Sequence, residues 1–127
     1  VKLDCDVIQA DGGTRTASIT GSYVALYRAC QKLVTLGLIK NVPMADAVAA
    51  VSCGIIEGTP VLDIDYAEDS TAEVDANFVL AGNGGIIEIQ STAERKPFSD
   101  TDFQSLLRLA RKGTAELMAL QKKALGL

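Results

Sequence analysis

A dense cluster of carboxylates lies in the middle of the chain. The thirteen residues 63–75 contain six aspartates and glutamates, and no lysine or arginine occurs between Lys40 and Arg95. Like charges held close together in a folded protein raise each other's pKa or recruit a cation. Oxygen ligands without histidine or thiolate suit Mg²⁺ or Mn²⁺, and magnesium is commonly bound together with substrate phosphates. The cluster therefore indicates phosphoryl-transfer chemistry, with a solvated acidic loop that binds nothing as the alternative.

A glycine-containing segment, residues 11–16, has the outline of a phosphate-binding loop. Its two glycines let backbone N–H groups approach an anion closely, and a helix that begins here would add partial positive charge. Arg15 can hold a phosphate through its guanidinium group. The segment lacks the lysine and the spacing of a Walker A motif. A turn with a capping threonine is the alternative, but a carboxylate cluster in the same small domain favours the phosphate site.

Hydrophobic periodicity predicts the elements that hold these two motifs. Residues 1–10 alternate apolar and polar side chains, which is typical of a strand with one solvated face. Apolar residues at steps of three to four predict a helix over 15–36, ended by Gly37. Four strands are predicted at 47–57, 61–66, 73–81 and 86–92. The short connections between them indicate antiparallel pairing.

The last helix is predicted to begin at a capping box formed by Ser99 and Asp102. The sequence therefore predicts an α+β fold of two layers, in which a strand and a helix precede a four-stranded, mostly antiparallel sheet and a C-terminal helix. Residues 41–43 are the one plausible subdomain joint, and they divide the chain into residues 1–42 and 43–127. The brevity of the joint favours two packed lobes over two independent domains.

Strand alternation predicts which acids are presented to a ligand. A strand over 61–66 would place Asp63 and Asp65 on one face. It would bury the alternate residues Leu62, Ile64 and Tyr66. We expect Asp69 just past the end of this strand and Asp75 at the start of the next one. If the two strands are neighbours, their carboxylates converge on one point.

Composition limits the chemistry that is available. The chain has 127 residues, 48% of them hydrophobic, which is enough for one domain with a core. Histidine is absent, which excludes Ser-His-Asp and Cys-His nucleophile activation. Three widely spaced cysteines fit reduced core thiols better than a disulfide framework or a zinc site. A net charge of −4 is unlike the basic surfaces that bind nucleic acids.

The sequence shows no membrane or export signal. It contains no run of eighteen apolar residues, and its N-terminal segment lacks the pattern of a signal peptide. We therefore expect a cytoplasmic protein with no membrane contact. The chain begins at Val1 without a methionine, so we expect it to be part of a longer polypeptide.

Several segments together resemble the bacterial ribonuclease PH family of phosphate-dependent exonucleases, which trim tRNA 3′ ends. The resemblance is carried by residues 4–21, which contain the Asp-Gly-Gly-Thr-Arg motif, and by the acidic run 63–75. It continues through residues 84–90, 92–94, 97–99 and the final helix. The chain is thus identified as the C-terminal half of a ribonuclease PH-like fold. Residues 1–42 would end the first subdomain of that fold, and 43–127 would form the second.

The resemblance implies roles for individual residues. It assigns phosphate binding to Gly13, Thr14 and Arg15. It assigns catalysis to the pair Asp63 and Asp69, which would hold a divalent metal, Mg²⁺ or Mn²⁺. Asp65 and Asp75 are implied as accessory acids in the same motif.

The implied reaction is attack of inorganic phosphate on the last 3′,5′-phosphodiester of RNA, which releases a nucleoside diphosphate. The protein would then be a tRNA nucleotidyltransferase, acting in tRNA and rRNA processing. Arg15 and the loop amides would orient the phosphate, while the metal would stabilise charge on the phosphoryl oxygens or on the leaving oxygen. Asp69 or a metal-bound water would supply the proton to that oxygen.

Family members are about twice this length, so the N-terminal half of the same protein, with its basic RNA-binding residues, is an expected partner. The resemblance also implies a hexameric ring built as a trimer of dimers, acting on RNA. Two departures, Ser91 and the Arg95-Lys96 pair, lie outside the site motifs. The alternative functions are a non-catalytic exosome-type ring subunit that binds RNA or scaffolds partners, and an acidic cation-binding protein with no RNA role.

Overall fold

A computed structural model describes residues 1–127 and contains seven regular elements. They are α1 (Thr14–Thr35), β1 (Val48–Ile56), β2 (Thr59–Leu62), α2 (Tyr66–Asp69), β3 (Val74–Ala81), β4 (Ile86–Ala93) and α3 (Asp100–Leu125). The predicted α+β fold is confirmed, as are two long helices and four strands. None of the helices has the length and apolar composition needed to cross a lipid bilayer. The division of the chain into residues 1–42 and 43–127 stays a prediction.

The four strands form one antiparallel sheet in the order β2-β1-β3-β4. Strands β1 and β2 are joined by Glu57 and Gly58, whose φ angles of 49° and 72° suit a two-residue hairpin. The Gly58 N–H donates to the carboxylate of Glu73 over 2.9 Å, which ties this turn to the segment before β3. Because β1 lies between β2 and β3, the strand before the acidic run and the strand after it are not neighbours.

The main hydrophobic core lies between one face of the sheet and α3. The buried members of this core are Val51, Cys53, Ile55, Val74, Ala76, Phe78, Leu80, Leu106 and Ala110. Gly113 allows α3 to approach the sheet closely, since an added Cβ would lie 3.0 Å from Leu62 and 3.2 Å from Val51. Helix packing on this face leaves the opposite face of β1 and β3 to carry polar side chains.

Helix α1 is held at the edge of β1 that β2 leaves uncovered. The Thr20 hydroxyl accepts from the Ala50 N–H over 3.0 Å and contacts the Ala50 carbonyl at 3.2 Å. The Gln121 amide donates to the carbonyls of Val48 and Thr20 over 2.9 and 3.0 Å. These side chains satisfy backbone groups that would otherwise be unpaired at a sheet edge. They also fix the start of α1 beside the middle of β1.

The strand predicted over residues 1–10 is absent. All ten residues are exposed, and none of them takes part in a backbone hydrogen bond. A period-two pattern is stable as a strand only where a neighbouring strand accepts its hydrogen bonds, and these residues have no such neighbour in the chain. Cys5 is likewise exposed, so the prediction of core thiols is correct for Cys30 and Cys53 but wrong for Cys5.

Strand β2 is shorter than predicted. It ends at Leu62, and Asp63 adopts a left-handed φ of 61°. Ile64 is buried as expected, but Tyr66 is 71% exposed, so the predicted alternation through Tyr66 is wrong. The physical reason is local, because Asp65 starts α2 with a capping box that replaces strand pairing.

Candidate active site

Helix α1 begins without any side-chain cap. Its N-cap is Gly13, which has a left-handed φ of 71°, and no acidic residue occurs in the first turn. The Thr14 hydroxyl donates to the carbonyl of Asp11 over 2.9 Å and the Thr16 hydroxyl donates to that of Gly13 over 2.8 Å, so neither caps an N–H group. The first N–H groups of a helix have no partner within the helix and attract anions. The start of α1 therefore leaves N–H groups available to an anion, and phosphate binding by the loop stays a prediction.

The glycine loop, residues 11–16, packs directly against the acidic run, residues 63–75. A Cβ added at Gly12 would collide with the carbonyl oxygen of Ile64 and lie 2.7 Å from the carbonyl carbon of Asp65. Oδ1 of Asp11 accepts from the N–H groups of Gly12 and Tyr66, both over 2.8 Å. The bond from Tyr66, and secondly that from Gly12, lowers the pKa of Asp11 below its usual value. Asp11, for which the sequence analysis predicted no separate role, thus joins the two motifs.

Two of the acids in the run serve to cap α2. The Asp65 carboxylate accepts from the Glu68 N–H over 2.8 Å, and the Glu68 carboxylate accepts from the Asp65 N–H over 3.0 Å. This reciprocal pair starts the short helix that carries Asp69. Asp65, predicted as an accessory acid, therefore caps the helix that carries Asp69.

Asp69 and Asp75 come together at the polar face of the sheet. Both line a cavity of ≈ 220 Å³. Partial burial, and after it the charges of Asp69 and Glu94, raise the pKa of Asp75 above its usual value. Besides Asp69 and Asp75 the cavity is lined by Asp11, Gly12, Gly13, Thr14, Arg15, Ser52, Ile64 and Asn77. One cavity thus contains the complete predicted phosphate loop and two carboxylates.

Asp63 lines a neighbouring cavity between α1 and α3. Gly12 and Gly13 of the loop line this cavity as well, together with Leu62 and Gly113. The charge of Asp63 contributes, after the larger effect of burial, to raising the pKa of Cys53 to about 12. Asp63 itself is exposed, and its N–H donates to the carbonyl of Ser52 over 2.8 Å. Because β1 separates β2 from β3, the carboxylates do not converge through neighbouring strands as expected, and the pairing of Asp63 with Asp69 stays a prediction.

The arrangement of acids fits a single hard cation. No group of three or more histidine, cysteine or acidic side chains is arranged to hold a metal ion. Magnesium, however, needs only one or two protein carboxylates and keeps water and substrate oxygens as its other ligands. Asp69 and Asp75 in a polar cavity meet that requirement, and a cation between them would offset the repulsion that, after burial, raises the pKa of Asp75.

A row of polar side chains forms the cavity wall on β1 and β3. The Ser52 hydroxyl donates to Oδ1 of Asn77 over 2.8 Å, and the Thr16 hydroxyl lies 3.3 Å from that of Ser52. With Oδ1 engaged, the amide N–H groups of Asn77 remain for a ligand. The sequence analysis missed Ser52 and Asn77. Each is a polar residue in the middle of an otherwise apolar strand, on the face away from the core. That pattern is the sequence signal that could have identified them.

Arg15 reaches out of the cavity to β4, an edge strand of the sheet. Its Nη2 atom lies 2.9 Å from both carboxylate oxygens of Glu88 on β4. Glu88 was also missed by the sequence analysis, since 73 residues separate the partners and no local pattern joins them. The arginine predicted to bind phosphate is thus held by an ion pair within the protein.

Comparison with known proteins identifies the family of the chain. Residues 46–113 match the second domain of the 3′ exoribonuclease family. Ribonuclease PH of Rhodospirillum rubrum is 65% identical over 125 residues, which cover 98% of this chain and 52% of that protein. Ribonuclease PH of Methylobacterium nodulans is 61% identical over 126 residues, covering 99% of this chain and 53% of that protein. The chain thus spans about half the length of the relatives it matches.

Solved structures share the fold at lower sequence identity. Rice (Oryza sativa) Rrp46 aligns with a TM-score of 0.59 and 22% identity, covering 81% of this chain and 46% of that chain. The archaeal exosome core aligns with a TM-score of 0.53 and 16% identity, covering 65% of this chain and 32% of that chain. These structures show the fold, and the match over residues 46–113, which is more than half of the sequence, establishes that the chain belongs to the 3′ exoribonuclease family.

Proposed function

We propose that the protein is a phosphate-dependent 3′-5′ exoribonuclease that removes terminal nucleotides from tRNA 3′ ends as nucleoside diphosphates. The proposal depends chiefly on one observation, the single cavity that contains both an anion-binding loop and a carboxylate pair. A phosphorolytic reaction needs both, because its nucleophile is an anion and its reacting group is a second phosphate. The high identity to proteins named ribonuclease PH supports the same reaction.

In this proposal the loop binds the attacking phosphate. The backbone N–H groups at Gly13 and Thr14, which no side chain caps, would receive phosphate oxygens. Arg15 lines the same cavity and would add charge-assisted hydrogen bonds. These residues would orient the nucleophile towards the terminal phosphodiester, which is the main contribution that positioning makes to phosphoryl transfer.

We propose Asp69 and Asp75 as the metal-binding and catalytic carboxylates, in place of the pair Asp63 and Asp69. Asp69 and Asp75 line the cavity that contains Thr14 and Arg15, whereas the neighbouring cavity lined by Asp63 shares only the two loop glycines with it. They would hold Mg²⁺ or Mn²⁺, which when bound neutralises charge on the phosphoryl oxygens. Asn77, oriented by Ser52, would donate a hydrogen bond to a substrate oxygen from the same wall.

The proposal extends to the partners of the protein. The remaining half of the polypeptide would supply basic residues for RNA, since this chain carries a net charge of −4. We also propose a homo-oligomeric ring, a hexamer built as a trimer of dimers, that acts in the cytoplasm. A non-catalytic ring subunit is the second candidate. A non-catalytic subunit would need neither the uncapped loop nor the acid pair. The presence of both features in one cavity therefore argues against this candidate.

The test is a phosphate titration of RNA shortening by the full-length protein with Mg²⁺. We expect nucleoside diphosphates only when phosphate is added. Asp69→Asn and Asp75→Asn should each lower the rate about 10²-fold or more, because a bound metal supplies several kcal/mol of transition-state stabilisation.

Asp63→Asn is the matched control, because asparagine tolerates the left-handed backbone at this position. We expect it to fold and to retain most of the activity. A loss as large as that of Asp69→Asn would reinstate Asp63 as a catalytic residue, and phosphate-independent hydrolysis by the wild type would overturn the proposed reaction.

A further inference from the structure

Glu88 is the one side chain that holds Arg15. The Nη2 atom of Arg15 contacts both carboxylate oxygens of Glu88 at 2.9 Å. No other hydrogen bond within the chain involves the Arg15 guanidinium, so its Nε and Nη1 donors are left for another acceptor. Both side chains are partly exposed, at 52% for Arg15 and 42% for Glu88. The contact thus leaves most of the arginine's donors available.

Glu88 approaches Arg15 from outside the cavity. Glu88 lies opposite Val79 in the β3–β4 pairing, two positions along from the pair of Asn77 and Gln90. Side chains at these positions share the polar face of the sheet. Arg15 lines the cavity together with Asp69 and Asp75, whereas Glu88 does not. The arginine therefore spans from the cavity to a carboxylate beyond its rim.

We propose that Glu88 is a positioning residue, which fixes the Arg15 guanidinium at the cavity so that its free donors can bind inorganic phosphate. This inference rests on the proposed phosphate-binding role of Arg15. A long arginine side chain at the start of a helix has many rotamers, and ordering it before the anion arrives lowers the entropy lost on binding. Glu88 orders the Arg15 side chain through a contact with one nitrogen only, Nη2.

The opposite role would be competition, in which the Glu88 carboxylate pairs with Arg15 until phosphate displaces the carboxylate. Competition would require the carboxylate to lie where the phosphate binds. The cavity wall around the loop is instead formed by the glycines, Ser52 and Asn77, and both Glu88 oxygens engage a single arginine nitrogen. The two roles predict opposite changes in phosphate affinity, which makes them separable.

The experiment compares Glu88→Ala and Glu88→Gln with the full-length wild type in phosphate titrations of RNA shortening. We expect the KM for phosphate to rise about two- to fivefold in Glu88→Ala, as is typical for loss of an exposed ion pair. The kcat at saturating phosphate and the affinity for RNA should stay unchanged. Glu88→Gln should recover part of the loss, because its amide oxygen still accepts from Nη2. Glu57→Gln, which removes one negative charge at the β1–β2 turn, is the matched control and should change nothing.

A double variant tests whether Glu88 acts through Arg15. In an Arg15→Ala background, Glu88→Ala should cause no further loss in kcat/KM for phosphate. A lower KM in Glu88→Ala would establish competition and overturn positioning. An unchanged KM, or a loss that persists without Arg15, would also overturn it.

Calorimetric titration of inorganic phosphate separates this inference from the proposed reaction. If the wild type shows no phosphate-dependent RNA shortening, the proposed function fails, but phosphate binding by the wild type and by Glu88→Ala can still be compared. Weaker binding in Glu88→Ala would support positioning, and equal or tighter binding would contradict it.

Discussion

The two long helices of this protein begin in opposite ways. Helix α3 starts at Ser99, whose hydroxyl accepts from the Asp102 N–H over 3.1 Å, while the Asp102 carboxylate accepts from the Ser99 N–H over 3.0 Å. Two acids, Asp100 and Asp102, occupy its first turn. Helix α1 starts at Gly13 with no side-chain cap and no acid in its first turn. Helix α1 leaves its first N–H groups without a side-chain acceptor, whereas the capping box of α3 provides one.

The start of α3 thus serves stability, whereas the start of α1 serves function. A capped start with acids complements the helix dipole and stabilises the helix it begins. An open start forgoes that stabilisation, and it leaves positive potential facing the cavity that contains Asp69 and Asp75. Changes at the start of α1 should therefore alter phosphate use with little effect on stability. Changes at the start of α3 should do the reverse.

The largest effect is expected at the glycine loop. Gly12→Ala would force the loop away from the Ile64 carbonyl and the Asp65 backbone, which it now contacts too closely for any side chain. We expect kcat/KM for phosphate to fall about 10²-fold, because a displacement of about 1 Å in a positioning element can cost that much. The measurement is a phosphate titration, with circular dichroism to verify folding.

Gly21→Ala is the matched control for this substitution. It lies within α1, and no atom lies within 4 Å of the Cβ it would acquire. Alanine within a helix is more favourable than glycine by about 0.5–1 kcal/mol, so this variant should be active and slightly more stable. Equal activity losses in the two variants would show that α1 as a whole, and not the loop contact, controls phosphate use.

Local patterns in the sequence predict much of this fold. The capping box of Ser99 and Asp102 is confirmed, and the predicted helix over 15–36 agrees within one residue at each end with α1. The antiparallel sheet of four strands is also confirmed. These features depend on residues a few positions apart, or on short connections, so the sequence contains their physical cause.

The pairing of distant residues could not be predicted in the same way. The order β2-β1-β3-β4 keeps β2 from lying beside β3, and periodicity does not contain that order. Residues 1–10 have the pattern of a strand, but a pattern cannot reveal that no neighbour is present to pair with them. The contact of Arg15 with Glu88 depends likewise on tertiary packing.

An intermediate effect is expected at the start of α3. Ser99→Ala removes the acceptor for the Asp102 N–H and should lower the free energy of unfolding by about 1 kcal/mol. In a domain of this size that corresponds to a fall in Tm of about 4 °C. The KM for phosphate should not change, since Ser99 does not line the cavity. A change in the KM for phosphate without a change in Tm would reverse the roles assigned to the two helix starts, phosphate use for α1 and stability for α3.

The smallest effect is expected from the charge of Asp102, and it depends on pH. Hydrogen bonds from the hydroxyl and then the N–H of Ser99 lower the pKa of Asp102 below 3.8, with a smaller contribution from Lys96. An acid whose pKa is depressed by folding stabilises the protein above its unfolded pKa, and that stabilisation is lost as pH falls through the folded value. Asp102→Asn should therefore be less stable than the wild type at pH 7, and the two should converge as pH falls below 3.8. Urea unfolding at pH 7 and at pH 3 measures this, and a stability difference that is equal at both pH values would show that the cap acts without its charge.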